Sequence, residues 1–99
     1  MKRLMVFVLL SVTAVFSNAA DEAVVTKYNR SCISCHAAGA ANAPRTGDVT
    51  AWKPRLAKGM DTLVANVNKG FNAMPPKGMC IDCSDADYKA LIEYMAKAK

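Results

Sequence analysis

Histidine is nearly missing from this 99-residue chain, whose single imidazole belongs to His36. That scarcity excludes any site built from two imidazoles. Long apolar runs are missing as well. The apolar stretch from Leu4 to Phe16 has 13 positions, whereas a membrane-spanning helix needs about 20 apolar residues. Blocks of like charge are absent: the 13 Lys and Arg residues are scattered among 8 Asp and Glu, for a formal net charge of +5. A basic stripe suited to nucleic acid is therefore excluded. No stretch alternates like a strand, no linker divides the chain, and the one internal echo is a pair of unlike C-x-x-C runs.

What is present at the N-terminus reads as an export signal, residues 1–19. Met1-Lys2-Arg3 is a positive start, Leu4 to Phe16 the apolar middle, and Ser17-Asn18-Ala19 the small residues at which a signal is cleaved. Cleavage after Ala19 would leave 80 residues, with Cys32 the first cysteine and none near the cut to carry a lipid. The expected mature chain, residues 20–99, is one soluble periplasmic domain in a compartment where disulfides persist. Its balance is 11 basic against 8 acidic residues, or +3. A domain this short has a marginal core and usually needs a staple.

The staple is written at Cys32-Ile33-Ser34-Cys35-His36. C-x-x-C-H is the attachment signature of a c-type haem. Two thiols three positions apart can each add to a haem vinyl group as thioethers, and the histidine that follows is held under the iron. The competing readings are a zinc half-site, a redox dithiol or two buried thiols. Zinc would require further ligands from a second pair, and no second histidine exists. One covalently bound haem is the expectation.

Around that motif the sequence predicts short helices only. Asp21 to Ser34 forms the first, with Val24, Val25, Tyr28 and Cys32 on one face and Lys27 and Arg30 pointing away. Tyr28 reads as a plain core aromatic. Ala37 to Ala43 is a loop of small residues that suits close wrapping of a flat ring, and Pro44 to Asp48 continues it with turn chemistry. Thr50 is the expected N-cap of a second helix through Lys58, with Pro54 tolerable only near its first turn. A third helix starts at Asp61 or Thr62, carries Leu63, Val64 and Val67 inward, and stops at Gly70; Phe71 is expected in the same core. Asn72 to Cys83 is irregular because of Pro75 and Pro76. Ser84 opens the last helix, with Asp87 completing a capping box, Tyr88, Leu91, Ile92 and Met95 buried, and Lys97 and Lys99 at its end.

An iron held by His36 has one axial position left, for a methionine, a lysine, or nothing. Met95 lies on a helix stripe and Met60 at a helix entrance, where packing explains both. Met74 and Met79 lie in the irregular segment. Met74 is favoured because two prolines follow it and hold it extended. Trp52 is expected to give its indole N–H to a haem propionate, with Arg45 or Arg55 adding charge, or else to pack simply in the core. Cys80-Ile81-Asp82-Cys83 is a second C-x-x-C, at the start of a helix. A thiol oxidoreductase uses that layout, but the chain lacks a βαβ pattern, and in an oxidising compartment the pair Cys80 and Cys83 is expected as a structural disulfide. Ser84 in place of a histidine excludes a second haem.

Cys32-Ile-Ser-Cys-His36, Pro44-Arg-Thr-Gly-Asp48 and Ala73-Met-Pro-Pro-Lys-Gly78 together resemble a bacterial class I cytochrome c, and Cys80-Ile-Asp-Cys83 narrows the likeness to the cytochrome c5 group. The resemblance spans Ala20 to Lys99. It implies a small all-α fold of about four helices around the haem, the first and last crossing beside it, with Tyr28, Leu91 and Tyr94 at the crossing. It implies His36 and Met74 as axial ligands and the Pro44 carbonyl as acceptor for the other nitrogen of His36. An iron so ligated has no vacant site, which leaves one-electron transfer rather than catalysis. The implied partners are respiratory redox proteins such as a quinol-oxidising complex, a terminal oxidase or a peroxidase.

Overall fold

A computed structural model describes residues 19–98, together with the isolated positions Val6, Val8, Leu9 and Ser11. The export signal lies almost wholly outside the described residues, as does Lys99. Among the described residues every regular element is helical, apart from one isolated bridge between Phe71 and Met74. None of these helices is long and apolar enough to cross a membrane.

The first rod is continuous from Ala19 to His36 but changes pitch within it. α1 (Ala19–Lys27) runs into a π-helical turn (Tyr28–Cys32) and then α2 (Ile33–His36), with right-handed helical backbone at both joints. The Ile33 N–H reaches back five residues to the Tyr28 carbonyl, the wide-turn bond of a π segment. Ser31 lies inside that turn, buried, with its hydroxyl donating to the Lys27 carbonyl at 2.7 Å. Sequence periodicity of 3.6 has no means of showing such a turn. Of the predicted inner face, Tyr28 is buried, Val24 and Cys32 pack against the core, and Val25 is exposed. Lys27 and Arg30 do not simply point away: they reach Asp87 and Asp82, each at 2.8 Å.

After a turn of 3-10 helix at Ala40–Asn42, α3 covers Val49–Leu56. Its cap is Asp48, whose side chain accepts from the Ala51 N–H at 3.1 Å, and not Thr50. Pro54 sits beyond the first turn, against expectation. Thr50, whose carbonyl would have met the missing N–H, lies exposed to water, so the loss is small. α4 (Met60–Lys69) starts after Gly59 and stops at Gly70, burying Leu63. α5 (Asp85–Ala96) carries the predicted capping box, complete in both directions between Ser84 and Asp87.

The core forms where α5 lies against α1, α3 and α4. Tyr88, Leu91, Ile92 and Met95, one stripe over about two turns, are each no more than 3 % exposed. Tyr28 and Tyr94 meet edge to face, 5.1 Å between centroids at 62°, a favourable arrangement for two aromatic quadrupoles. Tyr28 does more than pack, since its hydroxyl pairs with the Thr46 hydroxyl at 2.7 Å. The Gly47 N–H also donates to the Met95 carbonyl at 2.7 Å. Both terminal helices thus hold the turn that follows the C-x-x-C-H motif. Phe71, expected in this core, is 46 % exposed, with the Lys58 ammonium 5.2 Å from its ring centre. The abrupt stop at Gly70 turns the chain away before Phe71 can follow the α4 stripe inward.

Candidate functional site

The four residues singled out as haem ligands come together. Cys32, Cys35, His36 and Met74 all line one cavity of about 360 Å³. Cys32 and Cys35 are one helical turn apart, so both thiols lie on the same side of the rod. His36 closes the rod and is 8 % exposed. Its Nδ1 donates to the Pro44 carbonyl at 2.8 Å, which leaves Nε2 with the free lone pair and fixes the tautomer. Burial holds this imidazole below its ordinary pKa; the Pro44 bond opposes that shift and the Arg55 guanidinium adds to it. The ring is therefore kept neutral, the form that ligates a metal. Burial pushes the Cys32 thiol up.

The remaining walls come mainly from two loops. Ala40, Ala41, Ala43 and Pro44 supply one side, where larger side chains would fill the space. Phe71 to Pro75, with Gly78 and Met79, supply another. Backbone bonds fix Met74 on both sides: its N–H donates to the Phe71 carbonyl at 2.8 Å, and its carbonyl accepts from the Phe71 N–H at 3.0 Å. Gly70 permits that closure, since its φ is 85° and a Cβ there would stand 3.0 Å from the Met74 carbonyl. Met79 also touches the cavity but is 63 % exposed, with a left-handed backbone. Met60 and Met95 belong to the core and its margin.

Of the two expectations for Trp52, the structure shows packing in the core, and Arg45 is not among the residues that line the cavity. The Trp52 indole is 4 % exposed and its N–H donates to the Arg45 carbonyl at 2.9 Å, so that donor is already engaged by the backbone rather than by a propionate. Trp52 instead supports the imidazole, its ring stacked on His36 at 5.7 Å and 26°. Of the two arginines, Arg55 lines the cavity; its Nη1 donates to the Ala51 carbonyl at 2.7 Å. Sequence reasoning missed Ser31 and Phe71 as cavity residues. The spacing of Gly78 from Met74 was visible, but only three dimensions show their contact.

Cys80 and Cys83 are bonded to each other, with Cα atoms 5.4 Å apart. Cys80 is 1 % exposed and accepts the Tyr88 hydroxyl on its carbonyl at 2.8 Å. A buried sulfur is poorly placed for attack by a substrate thiolate. The bonded pair ties the end of the methionine loop to the start of α5.

The donor set fits a covalently held haem: two thiols on one face, a neutral imidazole with its second nitrogen engaged, a thioether, and small apolar walls. Comparison with known proteins agrees. Residues 19–95 match the family profile described as cytochrome C oxidase, cbb3-type, subunit III. The chain is 53 % identical over 75 residues to cytochrome c5 of Azotobacter vinelandii, covering 74 % of this chain and 87 % of that protein. A mono-haem ferrocytochrome c from Shewanella putrefaciens superposes with a TM-score of 0.68 at 55 % identity, over 77 % of this chain and 94 % of that one. A chain in a solved electron-transfer complex of nitrite reductase with cytochrome c also gives 0.68, at 46 % identity, over 75 % of this chain and 90 % of that one. On fold, donor set and relatives alike, the chain belongs to the class I c-type cytochromes of the c5 group, single-haem electron carriers and not enzymes.

Proposed function

We propose that this protein is a soluble periplasmic carrier that passes single electrons between respiratory proteins through a haem ligated by His36 and Met74. The observation that carries the proposal is the meeting of Cys32, Cys35, His36 and Met74 on one cavity, with His36 Nδ1 already bound at 2.8 Å. Cys32 and Cys35 would hold the porphyrin as thioethers, His36 would give its Nε2 to the iron, and Met74 its sulfur. Haem iron supplies the one-electron chemistry, and a His/Met pair raises its potential. The chain's own part is to keep both ligands still. Trp52 and the Pro44 carbonyl hold the imidazole, while the paired bonds to Phe71 hold the methionine backbone. With His36 and Met74 both holding the iron, no site on it would be left for a substrate.

The reading at residues 1–19 of an export signal supports the periplasm as the site of action. The partner in the related solved complex is a nitrite reductase; a redox enzyme of that kind, a terminal oxidase, a peroxidase or a quinol-oxidising complex suits a carrier that docks briefly. Met74 is preferred to Met79 because Met79 is mostly in water and adjoins the rigid disulfide.

The test is a pair of variants. Met74→Ala should lose the weak red-edge charge-transfer band of the ferric form, bind carbon monoxide in the ferrous form, and fall in potential. Met79→Ala should match the parent in all three. The reverse pattern would transfer the ligand role to Met79.

A further inference from the structure

Three consecutive residues of the methionine loop have left-handed backbone: Lys77 at φ 64°, Gly78 at 55° and Met79 at 65°. Two of them bear side chains, for which this region is costly. The turn is closed by the Gly78 N–H on the Pro75 carbonyl and the Cys80 N–H on the Lys77 carbonyl, each at 2.9 Å. Backbone freedom alone therefore does not account for a glycine at 78, since both neighbours hold the same conformation without it.

Space does account for it. A Cβ on Gly78 would stand 2.7 Å from Met74 Cε, with Val67 Cγ1 next at 3.9 Å. Carbon atoms do not approach so closely, and one of the two must move. Met74 Cε is the free end of a flexible side chain, so the fold can absorb the intrusion. The thioether cannot, because the direction of its two sulfur lone pairs follows from where the methyl lies. We infer that Gly78 is a positioning residue: its missing side chain leaves the space occupied by the Met74 methyl and so aims the Met74 sulfur. This rests on Met74 being the second axial ligand.

Two other glycines set the comparison. Gly70 has the Met74 carbonyl and the Pro76 nitrogen near its Cβ position, at 3.0 and 3.1 Å, and so governs the loop's backbone. Gly59, with φ 92°, has nothing within 4 Å. Alanine at Gly59 strains the backbone without touching the methionine, which isolates strain from steric displacement.

The experiment compares purified holoproteins of the parent, Gly78→Ala, Gly59→Ala and Met74→Ala by ferric absorption, redox titration and ferrous carbon monoxide binding. Gly78→Ala should keep its helical circular dichroism yet show a weakened and displaced red-edge band and a lower potential, while Gly59→Ala keeps both parental values. A Gly78→Ala protein with the parental band and potential would overturn the inference. Should that variant give no holoprotein, the parent decides: in the ferrous form the Met74 methyl protons should show a nuclear Overhauser contact to the Gly78 α-protons, and its absence would equally overturn the inference. A parental band in Met74→Ala would instead remove the ligand assignment, and the role of Gly78 with it; that failure is read from the Met74 variant alone.

Discussion

Tyr28 and Thr46 show how much a single polar contact contributes beside the haem motif. The Tyr28 ring would be buried against Tyr94 with or without its hydroxyl; the hydroxyl adds the bond to Thr46 at 2.7 Å. Tyr28→Phe keeps the ring packing and leaves the Thr46 hydroxyl, which is partly exposed, free to meet water. The expected loss is about 1 kcal/mol of stability, with an unaltered haem spectrum, measurable by denaturant titration alongside absorption. A changed spectrum would mean that the 44–48 turn responds to Tyr28 and carries its shift to Pro44. At this scale the sequence is legible where chemistry is local. Cys32, Cys35 and His36 are picked out by spacing and Met74 by the prolines after it, and the fold brings these four candidates to one cavity. Trp52 and Gly78 are not picked out in this way, because their partners, the Arg45 carbonyl and the Met74 methyl, are chosen by the fold.

Helix α5 shows what an element inherits from its sequence. Its stripe of four buried residues and its capping box are readable because both repeat the geometry of one helix. The π-helical turn between α1 and α2 is unreadable for the same reason: nothing in a 3.6-residue pattern marks one wide turn. Asp48 in place of Thr50 as the α3 cap is a shift of two residues, settled by which carboxyl or hydroxyl reaches the Ala51 N–H. Ser84→Ala should cost about 1 kcal/mol by removing one half of the α5 cap. Asp87 adds a pH signature. The Lys27 ammonium beside it, then the Ser84 backbone N–H, hold its carboxyl below the ordinary carboxylate range. With the folded value below the unfolded one, the stabilisation is present above the unfolded value and lost as pH falls through the folded one. Melting temperatures from neutral pH down through the carboxylate range should therefore fall more steeply in the parent than in Asp87→Asn. Parallel curves would show that the contact between Lys27 and Asp87 contributes nothing in solution, as many exposed pairs do not.

The whole molecule is organised so that the cavity's walls come from the 31–44 and 71–79 segments and Arg55, braced by the other helices, while its charge is spread thinly. Eleven basic and eight acidic residues follow Ala19, and two haem propionates would bring the total close to neutral. Long-range steering of a partner is then weak, and reaction rates should depend little on ionic strength. Lys77 is the charge on the methionine loop and stands exposed beside the cavity segment. Rim charges act mainly on association rate, so Lys77→Glu should slow reaction with an acidic-faced partner several-fold and leave the potential nearly unchanged. Stopped-flow rates across a salt series test both statements. Steep salt dependence in the parent, or indifference to Lys77→Glu, would move the docking face elsewhere on the surface. The bonds that reach α5 have one more meaning. Lys27 pairs with Asp87, Tyr28 meets Tyr94 edge to face, and the Gly47 N–H finds the Met95 carbonyl. During synthesis the thiols, the imidazole and Met74 have all been made before any of these three partners exists. A chain ending at Cys83 would carry every candidate ligand and keep the contacts of Arg30 with Asp82 and of Tyr28 with Thr46, but would lose all three of these ties. The last twelve-residue helix is thus a latch that is made only after every candidate ligand.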